Sequence, residues 1–160
     1  MTETPAFPDR DAWAADNCSM ARALDVIGTR SALLLLREAF FGARRFDDFQ
    51  RRAGVTAAVT AARLRDLVDA GLLGRHPYQE SGQRTRQEYL LTSKGRDLFP
   101  VLVALVQWGD RYLSDPAGPP VRLWHDSCEA EVRVEVRCAR DHAVTLQECR
   151  VGPAAGAARR

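Results

Sequence analysis

A long apolar run is missing from this chain of 160 residues. The longest, Ala32-Leu33-Leu34-Leu35-Leu36, stops at Arg37 and Glu38, far short of the roughly 20 residues that span a membrane. No membrane partner is expected. The first residues, Met1-Thr2-Glu3-Thr4-Pro5, carry acid rather than base and no apolar stretch before a small-residue cleavage site, so the expectation is a cytoplasmic protein. Histidine is scarce, with three, and there is no Gly-x-Ser-x-Gly, phosphate loop, glycine-rich dinucleotide motif or His-Glu-x-x-His. No enzyme and no cofactor is expected; His76, just ahead of Pro77, reads as a structural or surface residue. Cys18, Cys128, Cys138 and Cys149 include no Cys-x-x-Cys and are expected as reduced thiols.

What is present fits an ordinary globular domain: 46% hydrophobic and 28% charged residues exclude a disordered or fibrous chain. Net charge is only +2, but residues 30–96 hold thirteen basic and seven acidic side chains while both flanks are acidic. Of the 23 basic residues only Lys94 is a lysine. Guanidinium groups serve phosphates and base edges equally well.

Along the chain, residues 1–17 read as an irregular arm with Phe7 and Trp13 its large apolar groups. Met20, Ala23, Leu24 and Ile27 then recur at helical spacing until Gly28, and Ser31 to Phe41 is apolar on nearly all sides, as a central buried helix would be. Residues 46–54 predict a short helix with Asp47 at the N-cap and Gly54 just past its end. Thr56 is a plausible cap for the next, whose stripe Ala57, Thr60, Ala61, Leu64, Leu67, Val68 and Gly71 leaves Ala58, Ala62, Arg65, Asp66 and Asp69 opposite. Two helices joined by a short turn containing glycine make a helix-turn-helix. Residues 72–78 and 86–91 read as a hairpin with a polar tip. Thr92 predicts a last helix carrying Leu98, Leu102, Leu105, Val106 and Leu113, with Pro100 allowing a kink or a delayed start. Residues 115–120 form a proline-glycine boundary, 121–125 and 132–138 alternate at period two like half-buried strands, and 152–160 read as a disordered tail. The fold class is mainly α with a small β-wing (α+β): a winged helix-turn-helix at 18–114 and a small β appendage at 121–151.

Several stretches, among them Cys18-Ser19-Met20-Ala21-Arg22-Ala23-Leu24, Arg44-Arg45-Phe46, Ala62-Arg63-Leu64, Arg75-His76-Pro77-Tyr78, Tyr89-Leu90-Leu91-Thr92, Lys94-Gly95 and Trp108-Gly109-Asp110, resemble the HxlR-type family of winged helix-turn-helix transcriptional regulators, related to the MarR-like group. The resemblance runs from about residue 18 to 113. It implies a homodimer on a near-palindromic operator of double-stranded DNA, a recognition helix in the major groove and a wing reaching the minor groove or backbone. A repressor is expected.

The residues support the same chemistry directly. A helix N-terminus offers unpaired N–H groups to phosphate, and Thr56, Ala58, Val59, Ala62, Arg63 and Arg65 are what the core stripe leaves free near that start. Compared with the resembled family, Ala57, Ala58, Ala61 and Ala62 are less polar than usual and Thr60 stands where leucine is usual, so thymine-methyl contacts or DNA shape must carry more of the specificity. Gln83, Arg84 and Arg86 beside Gly82 suit a minor groove or flanking phosphates. Arg44, Arg45, Arg51 and Arg52 either fasten to phosphates or pair with Asp47 and Asp48.

Cys18 precedes a helix, where the dipole lowers a thiol pKa; in several members of the resembled family the cysteine at this place senses electrophiles or oxidants. It is a candidate switch, or else a small half-buried hydrophobe. His125-x-x-Cys128 and Cys138-x-x-x-His142 have a metal-like look without a full signature, and a metal-free appendage is the expectation. Trp13, Met20, Leu24, Leu102, Leu105, Trp108 and Tyr112 are assigned to a dimer interface, because their apolar surface exceeds what one small domain covers. A small apolar effector between these helices is an alternative to the thiol. The contrasting reading is a protein-interaction module that docks the alanine-rich helix into a partner's groove.

Overall fold

The computed structural model describes residues 10–12, 14, 17–79, 82 and 84–157. In chain order it contains α1 (Ser19–Ile27), α2 (Arg30–Phe40), α3 (Phe46–Ala53), α4 (Ala57–Asp69), β1 (Leu73–Tyr78), β2 (Arg86–Leu91), α5 (Ser93–Arg96) and α6 (Phe99–Leu113). That is the expected α+β winged helix-turn-helix.

α2 is the central post. Thr29 caps it, its hydroxyl accepting from the Ala32 amide at 3.2 Å. Its Ala32, Leu35 and Leu36 are buried with Phe49 and Ala53 of α3, Leu64 and Leu67 of α4, and Leu72 and Leu73 leading into β1. One charge sits inside this apolar helix: Glu38 is 5% exposed, and the neighbouring Arg37 donates both Nε (2.8 Å) and Nη2 (2.5 Å) to its Oε1. A buried carboxylate is tolerated only when paired in this way.

β1 and β2 pair antiparallel in a register from Leu73↔Leu91 to Tyr78↔Arg86. Their base is tied to the segment before α3. The Tyr89 amide donates to the Arg44 carbonyl at 2.8 Å, and Arg45 forms a bridge with Glu88. This bridge explains one departure from the sequence reading: Arg45, held extended at φ −94° and ψ 146°, is the N-cap of α3, and Asp47 lies in the first turn. The predicted last helix is also divided. Thr92 caps only the single turn α5, and Pro100 lies in the first turn of α6, where its missing N–H has no helical acceptor to lose.

Beyond residue 114 the expected half-buried strands do not form. Single bridges, Trp124↔Glu131 and Arg137↔Ala143, each close a turn, and no described residue from 115 to 157 is buried. Alternation sets which side chains share a face, but a strand is secured by a surface that buries them, and here Leu123 and Val132 become only half-buried. The segment is attached through Gln107 of α6, which donates to the Val132 carbonyl (2.8 Å) and accepts from the Val134 amide (3.0 Å). Thr145 and Glu148 cap each other; the Thr145 backbone N–H and then its hydroxyl hold the Glu148 carboxyl below the ordinary glutamate range. Arg137 is pushed above its usual value by Asp141 first and Glu135 second. Residues 152–157, read from sequence as the start of a disordered tail, return to the beginning of α1, where Asn17 donates to the Gly156 carbonyl at 2.7 Å.

Candidate nucleic-acid interface

The turn between α3 and α4 is built locally. Gly54 takes a left-handed conformation (φ 65°) to end α3, and Thr56 caps α4, its hydroxyl accepting from the Val59 amide at 3.3 Å. Thr60, Leu64 and Leu67 then turn inward on α2. The Thr60 hydroxyl, fully buried, donates to the Thr56 carbonyl at 2.9 Å, which is how a polar side chain fits in a core position.

The other side of the first two turns is open. Thr56, Ala58, Val59 and Arg65 are exposed as expected. Ala57 and Ala61, assigned to the core stripe from spacing, are exposed too, while Ala62 and Arg63 are half-buried. The buried stripe is the narrower set Thr60, Leu64, Leu67, and alanine carries too little apolar area to reveal its side in sequence. Arg63 is drawn along its own helix, its Nη1 lying 2.6 Å from Asp66 Oδ2. Arg65 has no ion pair or hydrogen bond among the described residues. The face thus offers small side chains for close approach and one uncommitted guanidinium.

The arginines around it divide into two groups. Arg51 and Arg52 both lie against Asp48, Arg52 at 3.8 Å, so they are paired within α3. Arg44 and Arg45 are exposed at its start, and Arg84 and Arg86 are exposed on the wing, whose tip turns at Gly82 with φ 75°. The Arg45 guanidinium lies over the Tyr78 ring, 4.9 Å from its centroid. Gln83 lies outside the described residues. α4, the start of α3 and the wing therefore present Arg65, Arg44, Arg45, Arg84 and Arg86 on the exterior of one winged helix.

The remaining candidates fall elsewhere. Cys18 is exposed at the N-cap position of α1, and its thiol does not cap the helix. Met20 is 73% and Trp108 58% exposed, with Leu24, Leu105 and Tyr112 also open to solvent; of the helical stripe on α1 only Ile27 is buried. Leu102 is half-buried and packs partly against the core around α2. Trp13 lies outside the described residues. His125 Nδ1 and Cys128 Sγ are 3.1 Å apart, but Cys138 and His142 sit in a separate turn, and no group of three or more His, Cys, Asp or Glu among the described residues is placed to hold a metal. Nor is any described helix long and apolar enough to cross a membrane.

Comparison with known proteins agrees with this geometry. The HxlR-like helix-turn-helix family matches residues 26–116. Over 110 residues the chain is 51% identical to Rv3095 of Mycobacterium tuberculosis, an uncharacterized HTH-type transcriptional regulator, covering 69% of this chain and 68% of that one. The crystal structure of PA1607, described as a candidate transcription factor, is 42% identical with a TM-score of 0.75, over 85% of this chain and 94% of that chain. Such a share is not reached without residues beyond 114, so the likeness extends into the appendage. The redox regulator HypR in its oxidized form is 29% identical with a TM-score of 0.55, covering 61% of this chain and 100% of that one. With its open α4 face, its flanking arginines and its wing, the chain belongs to the HxlR-like helix-turn-helix family of DNA-binding transcriptional regulators, which are not enzymes.

Proposed function

We propose that the protein is a homodimeric repressor that binds a near-palindromic operator and is released by a signal received near its dimer interface. The observation that carries the DNA half of this reading is the exposed start of α4, capped by Thr56 and bordered by the arginines at the start of α3 and on the wing. Phosphate contacts from Arg44, Arg45, Arg84 and Arg86 would set register, while Arg65 and the methyl groups of Ala57, Ala58, Val59 and Ala61 would meet base edges. Dimerisation is supported by the uncovered apolar stripe of α1 and α6, because a soluble monomer rarely leaves that much contiguous apolar area open. Two α4 helices about one DNA turn apart would then read two half-sites.

Two routes to release are supported by different features. Cys18 stands exposed at the N-cap of α1, and the similar protein HypR is a redox regulator. A cavity of about 470 Å³ between α2, α6 and the 120–121 segment, lined by Arg37, Glu38, Phe41, Leu105, Gly109 and Val121, is of a size that accepts a small, mainly apolar effector.

The test is fluorescence anisotropy on DNA from upstream of the protein's own gene and on scrambled DNA of equal length, over a salt series with and without a quinone or peroxide. Selective binding that falls by orders of magnitude between roughly 50 and 200 mM salt is the expected result. Loss of binding on oxidation that is abolished by Cys18→Ser assigns release to the thiol. Failure to bind any duplex at low salt overturns the reading in favour of a protein-docking module.

A further inference from the structure

The turn at 124–130 gathers a nucleophile and a base that the DNA-binding surface does not use. Two backbone bonds close it, from the His125 amide to the Ala130 carbonyl and from the Glu129 amide to the His125 carbonyl, both 2.8 Å. Within it, His125 Nδ1 lies 3.1 Å from Cys128 Sγ and 3.2 Å from Ser127 Oγ. A bare ring nitrogen has one lone pair and accepts from only one of these groups, whereas an Nδ1–H can be shared by both. The two contacts together therefore favour a proton on nitrogen and sulfur as the acceptor, the arrangement of a thiolate beside an imidazolium. Neither of the other cysteines beyond the helix-turn-helix has it. Cys138 is exposed with no side-chain hydrogen bond among the described residues, and half-buried Cys149 donates its S–H to the Thr145 carbonyl at 3.4 Å. Against the pair opens a cavity of about 480 Å³ lined by Trp124, His125, Asp126 and Glu129, with Trp124 56% exposed. His125 thus belongs both to the pair and to a cavity with an aromatic wall.

We infer that Cys128 is a nucleophile that takes a flat α,β-unsaturated carbonyl compound as a covalent adduct, with His125 as its proton shuttle and Trp124 as the wall on which the compound lies. Sγ attacks the β-carbon and forms the S–C bond, and the π electrons of the C=C bond move to the carbonyl as an enolate. The proton that left sulfur for His125 Nδ1 then returns to that enolate. Nothing is oxidised or reduced, so the step needs no co-reactant. Asp126 and Glu129 line the same cavity and disfavour an anionic electrophile, which leaves neutral carbonyl compounds as the class. The site stands on the appendage, apart from Cys18, and does not depend on the DNA-binding reading.

The test follows each cysteine by peptide mass spectrometry while the reduced full chain reacts with acrylamide, with Cys138, also exposed in the neighbouring turn, as internal reference. At about pH 7 Cys128 is expected to react about tenfold faster than Cys138, and His125→Ala to bring the two within about twofold while Cys138 stays unchanged. Equal rates in the parent at this pH overturn the nucleophile. At about pH 9.5 both sulfurs are largely thiolate whatever their neighbours, so the parent's ratio should shrink to within about twofold. A ratio that persists there reflects access rather than pairing and overturns the role of His125. That readout needs no substitution, so it decides the matter even if His125→Ala loosens the turn. With N-phenylmaleimide the ratio at about pH 7 should rise about a further threefold, and Trp124→Ala should remove the rise. A ratio no higher than with acrylamide overturns the aromatic seat.

Discussion

Gly95 shows how tightly single residues are constrained in this fold. A Cβ built there would lie 2.2 Å from the Leu72 carbonyl oxygen, and that oxygen belongs to backbone already accepting from Thr92. Gly95→Ala should therefore destabilise the fold by about 1–3 kcal/mol, read as a shift of the denaturant midpoint without a change of slope. Arginines separate by what already holds them. Arg65 has nothing to give up among the described residues, so Arg65→Ala is expected to reduce operator affinity about tenfold and to relax selectivity in a competition assay. Arg63, tied to Asp66 at 2.6 Å, should show a smaller effect on replacement by alanine. Thr56, Gly54 and the glycine at the wing tip were legible in the sequence, because a cap or a left-handed turn is specified within a few residues. The sides taken by Ala57, Ala61 and Ala62 were not, because one methyl group barely distinguishes core from solvent.

Elements whose register is set by their own residues match the reading from sequence; those set by a distant partner do not. α4 begins at its capping threonine, yet α3 begins one residue after Arg45 because β2 holds Arg45 extended. The appendage is the larger case. Its alternating Val132, Val134 and Val136 read as a strand, but Gln107 of α6 supplies two bonds to this stretch, and Val134 and Val136 stay exposed. Gln107→Ala is accordingly expected to raise hydrogen exchange at the Val134 amide while leaving exchange in α2 and α4 unchanged. The turn at 145–148 responds to acid: its Glu148 carboxyl is held below the ordinary range in the folded chain, so its support is present at neutral pH and is lost as pH falls through that lowered value. The Thr145 amide should lose exchange protection over the same interval, below the usual glutamate titration.

At the scale of the whole molecule, the proposed dimer would cover the exposed apolar side chains of α1 and α6. Met20, Leu24, Trp108 and Tyr112 lie outside the core formed around α2, and the Trp108 and Tyr112 rings already meet at a tilt with centroids 5.6 Å apart. Leu24→Glu with Trp108→Glu is expected to give a folded monomer by light scattering, with unchanged circular dichroism. The same variant should lose operator affinity by at least about tenfold, since a single α4 reads one half-site. Monomeric parent protein at micromolar concentration would count against the dimer. The apolar cavity beside α6 and the cysteine before α1 both adjoin elements of this surface, so in the proposed dimer a signal at either would act on the spacing of the two α4 helices.

The chain by itself determined the helix-turn-helix and the wing that follows it, because caps, glycine turns and apolar periodicity act over distances of a few residues. Only the tertiary structure decided that Glu38 is buried against Arg37, that Arg51 and Arg52 are spent on Asp48, and that Arg45 lies on Tyr78, whose strand partner is Arg86. Apart from the ion pairs within α2 and α3, whose geometry depends on which face the core takes, these are contacts between residues far apart in sequence. Local pattern states which residues can bury or pair; the closing of the fold selects the partner.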